Sequence, residues 1–216
     1  NCTSDLNAWV NVFKEFAEAM GMEVDMNKLF GTLYNKALEG DADCGGILSY
    51  GNYAGEPITN VEKGRPMVVR TPETKFNLAN FMRSHLYTAL GVIKVGMDIL
   101  TKDEGVEIDT VLGHGGLFKT KGVGQQILAD AVNAPVSVMA TAGEGGAWGI
   151  ALLASYLVNK EEGETLESFL DNKVFADQES STLDPKPEGV AGFNAFMDSY
   201  MKGLSIERAA VESEIW

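Results

Sequence analysis

The spacing of apolar residues predicts a domain built largely from helices. Apolar positions recur every three or four residues over several segments, as on the buried stripe of an amphipathic helix. The longest segment, residues 76–100, is apolar on nearly every face, which is typical of a helix at the centre of a domain. The predicted helices are residues 4–20, 26–38, 76–100, 120–132, 143–158, 189–202 and 205–214, and the aromatic residues predicted for the core are Phe13, Phe16, Phe76 and Phe81.

Short apolar runs between these helices predict strands. They cover residues 47–50, 67–70, 108–112 and 135–139. From residue 108 onward the order is strand, turn, helix, strand, turn, helix, which requires a sheet with helices packed against it. The acidic stretch from residue 160 to 187 is predicted to form loops around a short helix near Leu166. The fold class predicted from the pattern is therefore α/β.

Two glycine clusters follow the last two predicted strands. Residues 113–116 read Gly-His-Gly-Gly, and residues 143–146 read Gly-Glu-Gly-Gly. Glycine lets the backbone approach a ligand, and the free amides at a helix start favour a phosphate or the polar edge of a ring. One such cluster is explained by a tight turn alone. Two glycine clusters on consecutive strand-helix units are expected at the same edge of the sheet, which favours binding of a nucleotide or a small polar ligand.

The segments around these turns resemble a known family. Residues 115–120, 126–130, 134–136 and 144–151 are similar, in sequence and separation, to the carboxy-terminal domain of the FGGY carbohydrate kinases. This resemblance implies an actin-like ATPase (ribonuclease H-like) fold, with a mixed sheet flanked by helices. It also implies that residues 1–216 form a single carboxy-terminal, nucleotide-side domain that is truncated at its amino-terminal edge.

The resemblance implies a kinase that transfers phosphate from Mg-ATP to a hydroxyl of a sugar or polyol. This chain would bind the adenosine end of the nucleotide through Gly115, Gly116, Lys119, Thr120 and Gln126. In the family, the sugar pocket and the general base lie mainly in an amino-terminal domain across a cleft. The resemblance therefore assigns no catalytic residue to this chain, and the isolated chain is expected to be inactive.

The chain departs from the family pattern at three points. Pro57 follows Glu56 where the family has an arginine, Tyr87 and Thr88 replace a Glu-Gly pair, and the turn at residues 113–116 is one residue longer. For this reason, the sugar substrate of a known family member cannot be assigned to this chain. The departures also leave a second hypothesis open, an actin-like domain that binds a nucleotide or a partner without kinase activity.

Charge and composition restrict the partners. The chain has 17 Lys and Arg against 31 Asp and Glu, a net charge of −14, which argues against nucleic acid and anionic membranes as partners. Two cysteines are too few for a disulfide framework, and a cytoplasmic protein is expected. No metal site is predicted, because neither histidine has a ligand partner at a suitable spacing. His85 is expected in the core. His114 is expected either to contact the ligand or to make a structural hydrogen bond. The sequence does not exclude a homodimer.

Overall fold

The computed structural model describes residues 3–140, 143, 145–176 and 179–214. Its helices are α1 (Ser4–Ala19), α2 (Met26–Ala37), α3 (Leu78–Asp98), α4 (Val123–Val132), α5 (Gly145–Asn159), α6 (Leu166–Phe169) and α7 (Pro187–Glu212). Its strands are β1 (Leu48–Tyr50), β2 (Met67–Val69), β3 (Val111–Leu112), β4 (Val136–Met139) and β5 (Ser180–Leu183). None of the helices in this part of the chain is long and apolar enough to cross a membrane.

A three-stranded mixed sheet forms one side of the molecule. Its order is β3-β4-β5, with β3 and β4 parallel and β4 and β5 antiparallel. The amides of Val111 and Gly113 donate to carbonyl oxygens of the β4 segment, both at 2.9 Å. Helix α4 connects β3 to β4 and packs against β4. This arrangement confirms the predicted α/β class with a mixed sheet.

Strand β5 lies where the sequence predicts loops. Three of its four side chains, those of Ser180, Ser181 and Thr182, are polar and exposed, so the segment shows no apolar run. Backbone pairing with β4 holds it in place, with Val136 opposite Leu183 and Met139 opposite Ser180. The prediction was wrong here because a strand at a sheet edge gains its order from the neighbouring strand rather than from burial.

Helix α3 is the centre of the domain, as predicted. It contacts α1, α2, α4 and α7, and its residues from Ala79 to Gly91 are almost all buried. The strand pair β1 and β2 is antiparallel, and β1 packs against both α3 and α7. The end of the predicted segment differs from the prediction, because Ile93 in α3 and Ile99 just after it are exposed. The core therefore surrounds the first two-thirds of this helix, whereas Val95 and Met97 in the last third pack against it only partly buried.

Two of the aromatic residues predicted for the core lie at the surface. Phe16 is 63% exposed and Phe76 is 54% exposed, whereas Phe81 is buried and Phe13 packs against the core partly buried. Helix α1 covers the core through Leu6, Val10 and Ala17, and Phe16 lies off that stripe. Phe76 precedes α3 and lies under the guanidinium of Arg70 at 4.6 Å. Helical spacing identified the helix, but not the width of its buried face.

The last helix is continuous, although the sequence predicts a break near Gly203. Gly203 is buried inside α7, where an added Cβ would overlap the hydroxyl of Tyr50. That hydroxyl donates to the backbone oxygen of Tyr200 at 3.0 Å, and the two tyrosine rings stack. This glycine therefore makes room for a neighbouring side chain and does not end the helix.

Candidate nucleotide site

The two glycine turns meet at one edge of the sheet. Because β3 and β4 are parallel, their carboxyl ends lie side by side, and a turn follows each of them. A Cβ on Gly145 would come within 2.9 Å of His114, and one on Gly143 within 3.2 Å of Lys119. The predicted juxtaposition of the turns is confirmed. Glu144, part of the family motif, lies outside the described residues.

The backbone of the first turn has a conformation that suits glycine. Gly115 has φ of 109°, in the region that residues with a side chain rarely adopt. Gly113 has an ordinary φ, but a Cβ there would overlap the ring of Phe118. A one-turn 3₁₀ helix over Gly116–Phe118 follows, and the turn continues into α4. These constraints restrict the residues that the turn accepts at positions 113 and 115.

A cavity of about 760 Å³ lies against this turn. Its size is typical of sites for nucleotides and cofactors. One wall is the turn itself, from Val111 to Thr120, and the facing walls come from α1, α2, α3 and α4. The apolar part of the lining consists of Phe30, Tyr34, Leu90, Ile93, Met97, Val111, Leu112, Leu117, Phe118, Leu128 and Val132.

Four of the five residues predicted for nucleotide contact line the cavity. They are Gly115, Gly116, Lys119 and Thr120, and His114 lies beside them. Gly116 has open space where a Cβ would be: among the described residues, and apart from its two chain neighbours, no atom lies within 4 Å of that position. The short run of residues after β3 therefore brings backbone, hydroxyl and ammonium groups to one wall of the cavity.

Gln126 is not among the described residues that line the cavity. Its side chain is buried and donates to Asp130 Oδ1 at 2.9 Å and to the backbone oxygen of Asp184 at 3.0 Å. Asp130 also accepts the amide of Lys186 at 2.8 Å, and burial raises the pKa of its carboxyl. The structure thus places Gln126 in a buried network that fixes the start of α7 to α4.

The wall opposite the turn includes residues that sequence reasoning did not select. Thr3 and Asn7 come from the start of α1, and Asn27, Phe30 and Tyr34 come from α2. They lie far from the glycine turn in sequence, and polar residues at a helix start usually serve as caps or face solvent. No local signal distinguishes them, so only the packing of α1 and α2 against α3 reveals their place.

The charges around the cavity suit an anionic ligand only at the turn. Lys119 is the cation of the described lining, and no Asp or Glu is found among those residues. In the described parts of the chain, no group of three or more His, Cys, Asp or Glu residues could hold a metal ion. The described lining is therefore largely apolar, with its positive charge on the turn.

The family is decided by a match that covers most of the chain. Residues 1–158 match the model of the FGGY family of carbohydrate kinases, C-terminal domain. The chain belongs to this family. FGGY kinases use ATP, which agrees with a cavity at the glycine turn. A comparison with curated protein sequences found no significant match.

Solved structures of FGGY kinases share the fold. Xylulose kinase from Rhodospirillum rubrum superimposes with a TM-score of 0.60 at 15% identity, covering 82% of this chain and 34% of that one. Gluconate kinase from Lactobacillus acidophilus gives 0.60 at 16% identity, with coverages of 82% and 34%. Glycerol kinase from Plasmodium falciparum, solved with ADP, gives 0.54 at 18% identity, with coverages of 96% and 37%. The chain thus spans about a third of the length of these kinases, and it has their actin-like fold.

Two departures from the FGGY pattern have structural explanations. Tyr87 is buried against Phe193 and Phe196 of α7, and its hydroxyl donates to the backbone oxygen of Ala42 at 3.0 Å. Thr88 donates to the backbone oxygen of Ser49 in β1. Glu56 accepts from the amide of Ile58 and caps the one-turn helix that Pro57 begins. These side chains all serve packing or capping within the domain.

Proposed function

We propose that this chain forms the nucleotide side of the active site of an ATP-dependent carbohydrate kinase. The complete enzyme would transfer a phosphoryl group from Mg-ATP to a hydroxyl of a sugar or polyol. The observation that supports this proposal most strongly is the cavity of about 760 Å³ against the glycine turn in a chain of the FGGY family. Its apolar walls suit the faces of a base, and its turn suits the ribose and phosphates.

The nucleotide would lie with its phosphates towards the turn. Backbone at Gly115 and Gly116 can approach the ribose and first phosphate, because Gly116 has open space on its ligand side. Lys119 supplies positive charge at this end, and the Thr120 hydroxyl a polar contact. Mg²⁺ would be held mainly by phosphate oxygens and water, as is common for this ion, so it needs no carboxylate cluster in this chain.

The described lining of the cavity contains no carboxylate that could act as a general base. Phosphoryl transfer depends on positioning and charge stabilisation around an oriented hydroxyl. We propose that the base and the sugar pocket belong to the two-thirds of a typical FGGY kinase that this chain does not span. The acceptor would bind in the cleft between the two parts.

The isolated chain is accordingly expected to bind nucleotide without transferring phosphate. A coupled assay for ADP release with pentoses, ketoses, sugar acids and polyols should give only the background rate of ATP hydrolysis. The same panel applied to a longer protein containing this domain should reveal one preferred acceptor. Sugar phosphorylation by the 216-residue chain alone would contradict the proposed division of the site.

A binding domain without kinase activity is the second candidate. The observation that favours it is the same lack of a carboxylate among the described lining residues. The panel of sugars and polyols distinguishes the two functions. If this chain is only a binding domain, the longer protein would phosphorylate none of them.

Gly116→Val is expected to weaken ATP binding about 10- to 100-fold, since its side chain would fill the space through which a ligand approaches the backbone. Within the described parts of the chain, and apart from the two neighbours of Gly116, no atom lies within 4 Å of the new Cβ, so the fold should be unaffected. Gly31→Val is the matched control, because Gly31 also has open space but does not belong to the described lining. Isothermal titration calorimetry measures the ATP affinity of both variants. Equal affinity of the two variants would place the nucleotide elsewhere.

A homodimer and a cytoplasmic location stay predictions. The apolar helix α5 supports a further protein interface, because Ile150, Leu157 and Val158 are strongly exposed. A cytoplasmic location is supported by the use of ATP and by the free, buried thiol of Cys44.

A further inference from the structure

We infer that a second copy of this chain docks on an exposed apolar surface of α1 and forms a symmetric dimer there. The surface, which we call the α1 face, consists of a stripe of side chains along α1 and the apolar groove beside it. The inference goes beyond the proposed nucleotide function and does not depend on it.

The stripe consists of three large apolar side chains that recur every fourth residue. Val12 and Phe16 lie on successive turns of α1, and Met20 follows at its C-cap. Positions spaced in this way lie on one side of a helix. Each of the three side chains is more than half exposed, whereas the core is covered by a different side of α1. The stripe therefore adds little to the packing of α1 on its own domain.

A groove of about 590 Å³ adjoins the stripe. Trp9 and Phe13 form the side that belongs to α1, and Phe76 and Phe81 form the side near the start of α3. The rings of Trp9 and Phe81 meet edge to face, with 4.8 Å between their centroids. The other described residues of the lining are Val68, Arg70, Asn77 and Leu78. The groove is therefore an aromatic recess with walls that pack on one another.

The apolar area of the α1 face is large enough for a stable interface. The exposed parts of its apolar side chains add up to on the order of 600 Å², which reaches the upper end for the largest patch on a typical monomer. A standard interface takes about 800 Å² from each partner, and rather more than half of that area is apolar. The α1 face therefore supplies the apolar part of such an interface.

A stripe and a groove on the same surface fit a second copy of that surface. In a twofold dimer, α1 would pack antiparallel to its copy. Phe16 and Met20 of each chain would then enter the groove lined by Trp9 and Phe13 of the other, and every contact would be made twice. The protruding and the recessed parts of the α1 face therefore complement one another across a twofold axis.

The charges of the chain also favour this face as the point of contact. With a net charge of −14, two copies repel one another over most of their surface. The described residues of the α1 face include no Asp or Glu, and the guanidinium of Arg70 lies over the ring of Phe76 at 4.6 Å. Two acidic chains therefore meet here without bringing carboxylates together.

The dimer would leave the nucleotide cavity open. Asn7 lines that cavity and precedes Phe16 by nine residues of α1, which is about two and a half helical turns. The two side chains therefore lie on opposite sides of the helix. ATP binding and dimerisation are accordingly expected to be independent of one another.

Sedimentation velocity on the 216-residue chain, at concentrations up to about 100 μM, tests the inference. The unmodified chain should dimerise. Phe16→Glu and Val12→Glu should each weaken dimerisation by about 100-fold or more, because a symmetric interface would bury the new charge twice. Both positions are exposed, and glutamate is a good helix former, so thermal unfolding should show that both variants fold.

Two control variants carry the same new charge at other exposed positions. Asn11→Glu lies on α1 outside the α1 face, and Leu157→Glu lies on α5, which also exposes apolar side chains. Both should dimerise like the unmodified chain. Added salt should strengthen the dimer, because it screens the repulsion between two acidic chains.

A chain that stays monomeric would overturn the inference, and so would a dimer that Phe16→Glu leaves intact. If Phe16→Glu fails to fold, Val12→Glu decides by the same criterion. Equal weakening by either control, or a dimer that salt weakens, would also overturn it. Calorimetry with ATP tests the nucleotide proposal separately, since the folded monomeric variants should keep the ATP affinity of the unmodified chain within about 2-fold.

Discussion

Arg83→Met is expected to lower the free energy of unfolding by about 3–5 kcal/mol, since it removes a buried charged donor that bonds several groups at once. The buried guanidinium of Arg83 donates to the backbone oxygens of Gly40 and Leu38, at 3.0 and 3.4 Å. Its Nε donates to the hydroxyl of Tyr87 at 3.0 Å. These bonds fasten the carboxyl end of α2 to α3, where a cation also favours the helix dipole.

Arg208→Met is the matched control for Arg83. Arg208 also donates to loop carbonyl oxygens, those of Thr59 at 2.7 Å and Asn60 at 3.3 Å, but its side chain is exposed. Water can replace those bonds, so the loss should be about 1 kcal/mol or less. Urea unfolding, followed by circular dichroism, measures the free energy of unfolding of both variants. A similar loss in the two variants would show that burial does not determine the contribution of Arg83.

Gly192→Ala is expected to cost about 2–3 kcal/mol because the new methyl group has no space. Gly192 lies in α7 where the helix crosses the loop after α2, and an added Cβ would overlap the carbonyl of Ala42. That loop is also held by Tyr87, which donates to the same carbonyl oxygen. The backbone of Ala42 therefore lies between Gly192 and the Tyr87 hydroxyl, and it cannot move away from α7 without disturbing the Tyr87 hydrogen bond.

Gly31→Ala should have the opposite effect. Gly31 lies inside α2 and has no atom within 4 Å of an added Cβ. Alanine is the better helix former, so the free energy of unfolding should rise by up to about 1 kcal/mol. Unfolding both variants in urea tests the packing of α7. A stabilising Gly192→Ala would mean that α7 does not approach the loop as closely as described.

Much of the site could be predicted because its signals are local. The glycines at residues 113–116 and the family segments that follow predict a turn at a sheet edge, and the cavity lies against that turn. Gln126 belongs to one of those segments, yet its side chain bonds Asp130 and Asp184 instead of lining the cavity. A motif thus locates the segment, but the direction of each side chain depends on what packs around it.

The sequence by itself determined the helical spacing, the α/β order from residue 108 and the membership of the FGGY family. Each depends on residues near one another in the chain. Tertiary structure decided the far wall of the cavity at Asn7 and Asn27, the edge strand β5, and the packing of Tyr50 against Gly203. These features join residues far apart in sequence. They exist only when the helices and strands pack, because packing decides which surfaces meet and which polar groups stay available.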